Sequence, residues 1–288
     1  MKLSAPRLLP ALATLALTLP AQAAPAMWEV RDDDSAIWLF GSFHLLPEDA
    51  VWRTDLFDAV LAEADQVVFE TDIRPEAAAQ VGAEAYVRGV YVDGTLLTDV
   101  LGETIEAQLR QKAADINMPV GVVQAMKPWL AANTITVQAM AGKGFAAEGV
   151  ELLLLPELAE ERLAFLETGS EQLDVLAGSS EDEQIAMLVA TLDQLDDLPK
   201  LMDKMLKSWM SGTPDQMGDV FLTGMGNFEA AFLERLLYAR NRNWIAPLEA
   251  MLDSNSENLV VVGAAHLIGE DSVLALLDEA GYDIKRIQ

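Results

Sequence analysis

The sequence predicts an α/β protein: a β-sheet core with G-x-x-H turns at strand ends and a large helical insertion. Three observations lead there. The chain opens with strand, helix and strand, it closes with the same order, and between about residues 75 and 250 the apolar residues recur mostly at helical spacing.

The elements follow in order. Residues 1–23 read as a signal peptide: Lys2 and Arg7 give a positive start, Leu8 to Leu19 is apolar, and Ala21-Gln22-Ala23 offers a small-x-small cleavage site. The apolar run is too short to span roughly 30 Å of hydrocarbon, and a retained N-terminal anchor is the alternative. Residues 24–288 then read as one α/β domain. Met27 to Arg31 and Ala36 to Phe40 form a hairpin across Asp32-Asp33-Asp34-Ser35. Asp55 to Ala64 has helical spacing, and Gln66 to Phe69 is a strand ending at Glu70. In the helical middle, Pro75 suits a first helical turn. Leu96 to Ala114, Val120 to Met140, Glu181 to Leu206 and Asn227 to Leu252 carry helix-period apolar positions. Arg162 to Leu166 breaks the pattern as a short strand before Glu167-Thr168-Gly169. Leu259 to Val262 is a fully apolar strand, Asp271 to Ala280 a helix capped by Gly281, and Tyr282 to Ile287 the last strand.

Composition excludes several functions. With 19 Lys and Arg against 46 Asp and Glu, the formal charge of −27 argues against a nucleic-acid partner. A hydrophobic share of 51% suits a globular chain rather than a disordered one. The absence of cysteine excludes disulfides, thiolate metal sites, a Cys nucleophile and lipoprotein anchoring. No later segment is apolar for long enough to suggest stable membrane insertion. The expected location is therefore exported, in a bacterium the periplasm.

The two histidines share one frame. Gly41-Ser42-Phe43-His44-Leu45-Leu46-Pro47-Glu48-Asp49 aligns with Gly263-Ala264-Ala265-His266-Leu267-Ile268-Gly269-Glu270-Asp271, giving G-x-x-H-L-x-x-E-D twice. Each copy follows a strand and precedes a helix, so each His projects from the carboxyl end of a strand, where open α/β sheets bind ligands. Glu48, Asp49, Glu270 and Asp271 read as helix-start residues that complement the helix dipole. Two imidazoles and a carboxylate suit Mn, Fe, Co or Zn. Glu70, ending V-V-F-E, is the natural third ligand. The alternative is a pair of structural histidines bonded to backbone carbonyls, with Glu70 a solvated strand-end carboxylate.

These residues resemble the TraB/PrgY/GumN family, to which the Tiki metalloproteases are related. The resemblance rests on G-S-F-H at 41–44, F-E-T-D at 69–72 and G-A-A-H at 263–266. Weaker family-like features are Phe165-Leu166-Glu167-Thr168 with Glu171-Gln172, Met126-Lys127-Pro128-Trp129, and Tyr238-Ala239-Arg240-Asn241. Ser42-Phe43 and Ala264-Ala265 depart from the usual inner residues of the two motifs without removing a ligand. The resemblance implies a metal-dependent hydrolase, in the first place a peptidase, with a small ester or amide as the other substrate class. A divalent transition metal would lie on His44, Glu70 and His266, with Glu70 as third ligand or general base. Glu167 reads as a second base, a partner orienting a His, or turn chemistry. Arg240 reads as an oxyanion or carboxylate-terminus contact, or a plain ion-pair partner. Two alternatives stay open. The chain is a non-enzymatic metal- or haem-binding protein on the same His pair, or an interaction protein. In the latter, the Met-rich segment from Met202 to Met225 supplies an adaptable surface.

Overall fold

A computed structural model describes residues 23–31, 34–145, 148–226, 228 and 230–288. The expected signal peptide, residues 1–23, lies outside the described residues apart from Ala23.

The hairpin forms as the alternating apolar residues direct. β1 (Met27–Arg31) pairs antiparallel with β2 (Ala36–Ser42), Met27 opposite Phe40. α1 (Asp55–Glu63) buries Phe57, Val60 and Leu61 on one face, and the Thr54 hydroxyl accepts the Phe57 amide hydrogen at 3.1 Å. A hydroxyl cap of this kind is worth about 1 kcal/mol. Glu48 and Asp49 therefore do not start a helix; the chain continues past them to Thr54. β3 (Gln66–Phe69) follows and ends one residue before Glu70.

The middle is more divided than its apolar period suggests. α2 (Pro75–Gly89) and α3 (Leu97–Asp115) come first. The segment read as one helix from Val120 is a single 3₁₀ turn at Val120–Val122 followed by α4 (Pro128–Ala141), because Pro128 cannot sit inside a continuing helix. After α5 (Val150–Leu154), β4 (Leu163–Phe165) rejoins the sheet. α6 (Gly169–Ala177) and α7 (Glu181–Gln194) both start with capping boxes, Thr168 with Glu171 and Ser180 with Glu183. α8 (Leu198–Met210) is separate from α7, since Pro199 falls where a first turn tolerates it. α9 (Pro214–Met225), α10 (Ala230–Leu233), a π-helical turn (Glu234–Tyr238) and α11 (Ala239–Leu252) complete the helices before β5 (Glu257–Gly263).

After β5, Ala264–Leu267 is a 3₁₀ turn, and α12 (Val273–Glu279) is capped by the Ser272 hydroxyl. Glu270 and Asp271 are thus not its caps either. In both places a hydroxyl in extended backbone takes the capping position from the acidic pair. β6 (Ile284–Arg286) is shorter than the expected strand and closes against β1.

The sheet order is β4-β3-β5-β2-β1-β6. β4, β3, β5 and β2 are mutually parallel, so their carboxyl ends share one edge. β2 is buried along its whole length, as strands covered on both faces are. One face packs Phe40, Phe57, Trp52 and Trp209, with Phe40 and Phe57 ring centroids 4.8 Å apart. The opposite face packs Leu39, Val68, Val260 and Val262 against Trp244 and Leu248 of α11. A separate helical cluster joins Leu97, Leu109, Ile135 and Leu188. Burial of each such side chain contributes about 1.5–3 kcal/mol, which makes the sheet a rigid base for what its edge carries. No helix among the described residues is long and apolar enough to cross a membrane.

Candidate active site

The two histidine motifs meet because β2 and β5 are parallel neighbours. Their register sets Ser42 opposite Gly263 and Gly41 opposite Val262, so the copies are staggered by one residue. β3 lies on the other side of β5 and delivers Glu70, while β4 delivers Glu167, whose amide donates to the Glu70 carbonyl at 2.9 Å. Four parallel strand ends thus bring His44, Glu70, His266 and Glu167 to one edge. Arg240 reaches the same point from α11.

Glu70 is the hub. Its Oε1 lies 3.9 Å from His44 Nε2 and 3.7 Å from His266 Nε2, and it accepts the Gly263 amide hydrogen at 2.7 Å. Its Oε2 accepts from Arg240 at 2.5 Å and from Gln172 at 3.3 Å. Gly263 has to be glycine here: a Cβ would stand 2.9 Å from His44 Nε2 and 3.2 Å from Glu70 Oε1.

Each imidazole is oriented through its far nitrogen. His44 Nδ1 donates to Glu151 at 2.9 Å, and Ser42 donates to the same Glu151 oxygen. The loop carrying Glu151 presses close, since a Cβ on Gly149 would overlap the His44 backbone at 2.4 Å. Asn241 donates its amide to the Asp271 carbonyl at 2.7 Å, which turns its oxygen toward His266 Nδ1 at 2.6 Å. His266 therefore carries its proton on Nδ1 and presents the Nε2 lone pair inward. Trp244 packs against the ring at 4.4 Å, and Arg240 lies over Trp244 at 4.9 Å.

The environments set the charges. The Glu151 carboxylate raises the His44 pKa to about 9. Burial lowers that of His266 to about 3. Burial works against ionisation of Glu70, but the imidazoles, Arg240 and the Gly263 amide outweigh it and hold the pKa at about 2. Glu167 shifts the other way: burial raises it more than Arg240 lowers it. Arg240 is held in its charged form by both carboxylates, against burial.

Arg240 is fully engaged. Nε and NH2 pair with Glu167, NH2 also with Glu70, and NH1 donates to the Leu236 carbonyl and faces His266 Nε2 at 3.1 Å. It is buried, and each of its nitrogens already has a protein partner. Glu167 bonds to this arginine and to Gln172.

One comparison decides the relationship. The TraB/PrgY/gumN family model matches residues 26–286, nearly all of the described chain. The chain belongs to the TraB/PrgY/gumN family. No curated protein and no solved structure shows a significant match. In this family member G-S-F-H, F-E-T-D, L-E-T, R-N and G-A-A-H fall on the parallel strand ends or on α11 beside them, whereas Met126-Lys127-Pro128-Trp129 lies at the start of α4.

The metal expectation can be set against these residues. The side chains do not close on a point: among the described residues, no three His, Cys, Asp or Glu groups stand close enough together to hold an ion, and Arg240 shares the space. The donor set fits one in kind. Two Nε2 atoms face one carboxylate oxygen, and each Nδ1 has the hydrogen-bond acceptor that orients ligating histidines.

Sequence reasoning missed Glu151, and it quoted Gln172 and Asn241 without giving them roles. Glu151 had a faint signal, a lone acid opening the run V-E-L-L-L-L-P. Such an acid, buried in an apolar stretch, needs a partner.

Proposed function

We propose that this chain is an exported, metal-dependent hydrolase that adds water to an amide or ester carbonyl. The observation that carries the reading is the convergence of His44 Nε2 and His266 Nε2 on Glu70 Oε1, with both Nδ1 atoms held from behind. His44, Glu70 and His266 would hold a divalent Mn, Fe, Co or Zn ion. Such an ion, when bound, lowers the pKa of water and polarises the carbonyl. Glu70 stays anionic across the working range. Glu167, with its raised pKa, accepts and returns a proton beside it. The pair follows the rule that an acid and a base are found where two environments push two carboxyls apart. Arg240 fixes both carboxylates and is a positioning residue.

The test is the metal content of the protein beside its His44→Ala/His266→Ala variant, after dialysis against trace Mn, Co, Fe and Zn. About one equivalent of metal, lost in a folded variant, supports the reading; no metal in either sinks it. Export rests on residues 1–23 and predicts a processed chain starting at Ala24, read by intact mass.

The cavity beside His44 favours a second reading, non-enzymatic binding of metal or haem. A Soret shift on haem titration without turnover of any amide or ester would establish it.

A further inference from the structure

His44 and Glu70 face two chambers. The larger, about 520 Å³, is walled by Met202 and Met205 of α8, Met217 and Phe221 of α9, and Leu236 and Leu237 of the π-helical turn. Apart from Asn133, every polar side chain on its wall belongs to the site or bonds to it. The smaller, about 240 Å³, shares His44, Glu70 and Gln172 with the larger and adds Thr71 and Glu151. The groups proposed to react therefore stand at a junction of an apolar chamber and a smaller one in which Glu70 and Glu151 stand among Phe69, Ile73 and Leu152.

We propose that the larger chamber binds the linear acyl chain of an amide or ester substrate, with its carbonyl at His44 and Glu70 and its leaving group in the smaller chamber. This substrate class rests on the hydrolase reading above.

Three features favour an acyl chain over an extended peptide. A peptide brings an N–H and a C=O at every residue, each costly to bury unpaired. The sheet supplies no partner for them in the chamber: β2 and β5 are paired on both sides, and β4, the edge strand nearest the site, does not line it. An acyl chain has no such groups. Second, the volume lies within the roughly 300–1,000 Å³ typical of small-molecule sites. Third, methionine is unbranched and polarizable, which suits a flexible chain that fills the space in several conformations. The smaller chamber carries Glu70 and Glu151, and the chain as a whole is at −27, so the leaving group is neutral or cationic rather than anionic.

The reaction is a hydrolysis. Water oxygen bonds to the carbonyl carbon and the C–N or C–O bond breaks. One water proton passes to the leaving amine or alcohol, and the acid product releases the other and departs as a carboxylate.

The experiment is calorimetric titration of the full chain with N-acylethanolamines of two to twelve carbons, run in parallel on the His44→Ala/His266→Ala variant. Affinity is expected to rise about four-fold per added methylene until the chamber is full, then level off, in both proteins. Met205→Trp, which fills the chamber, should move the plateau to shorter chains. Met205→Gln, which keeps the volume, should lower the affinity for the ten-carbon chain about ten-fold. Affinity independent of chain length overturns the proposal, and so does an apolar hexapeptide binding more tightly than the ten-carbon compound. Turnover separates the two readings. Length-dependent binding with no turnover under any of the four metals supports the acyl chamber and removes the hydrolase. Turnover without length dependence removes the acyl chamber and keeps the hydrolase.

Discussion

Glu70 and Glu167 contact the same guanidinium nitrogen of Arg240 at 2.5 Å each, and their carboxyl pKa values are pushed in opposite directions. Adjacent parallel strands deliver them, and one arginine separates them. Glu70 gains from two imidazoles and a backbone amide, whereas at Glu167 burial and the Glu70 charge outweigh Arg240 and Trp244.

Removing Arg240 should expose that arrangement. Arg240→Met leaves Glu70 and Glu167 facing each other in a buried place, and one-sided removal of a buried ion pair costs about 3–5 kcal/mol. The expected result is a fall of that size in the free energy of urea unfolding. A loss below about 1 kcal/mol would mean the network is solvated. Arg240→Lys keeps the charge, loses the forked geometry, and should lie in between.

Stability should pass through a maximum near pH 6.5. His266 and Glu70 have folded values below their unfolded ones, about 3 against 6.5 and about 2 against 4.5. Both contributions are therefore present above the unfolded values and are lost as pH falls through the folded ones. His44 is raised from 6.5 to about 9, so its contribution is complete below pH 6.5 and disappears as pH rises through 9. Urea midpoints from pH 3 to 9.5 test this. In His44→Asn the alkaline decline should flatten, and an unchanged decline would remove Glu151 as the cause.

Glu151 lines the smaller chamber and holds His44 through Nδ1, so Glu151→Gln should weaken metal binding. Partners behind a ligating histidine are worth 10–100-fold in affinity. Competition with a fluorescent chelator gives the number, and wild-type affinity in the variant would show that His44 is not held through Nδ1.

Gly263→Ala separates shape from stability. The new Cβ would push on His44 Nε2, the far end of a side chain that is 59% exposed and anchored through Nδ1. The stability cost should stay near the low end of the roughly 1–3 kcal/mol typical of overpacking. Metal affinity should fall at least ten-fold because His44 moves off Glu70. A stable variant with wild-type metal affinity would contradict the placement of His44.

The strand ends were legible because strands announce themselves. Val67-Val68-Phe69 and Leu259 to Val262 are apolar runs, and the repeated G-x-x-H frame tied the two histidines together before any coordinates. Their adjacency was not legible, since parallel pairing leaves no local turn to read. Helix breaks at Pro128 and Pro199 were visible residues whose effect was overlooked. The π-helical turn before Arg240 has no sequence signature at all; its apolar spacing passes for α-helix. Glu151 and Asn241 act across the fold, on residues far away in the chain, and no pattern within their own segments names the partner. The acidic pairs after each histidine were misread because helix-dipole logic was applied without locating the hydroxyl caps at Thr54 and Ser272.

The parallel pairing of residues 36–42 with residues 257–263 also dictates when the site can exist. Contacts this distant in sequence close late, after the intervening helices have had time to form. During synthesis, and during any passage through a membrane channel, His44 and Glu70 emerge long before Gly263 and His266. A chain interrupted before residue 257 has half a site, and its β2 is paired with β1 alone. The site therefore stays incomplete in the nascent chain until β5 enters the middle of the sheet between β3 and β2.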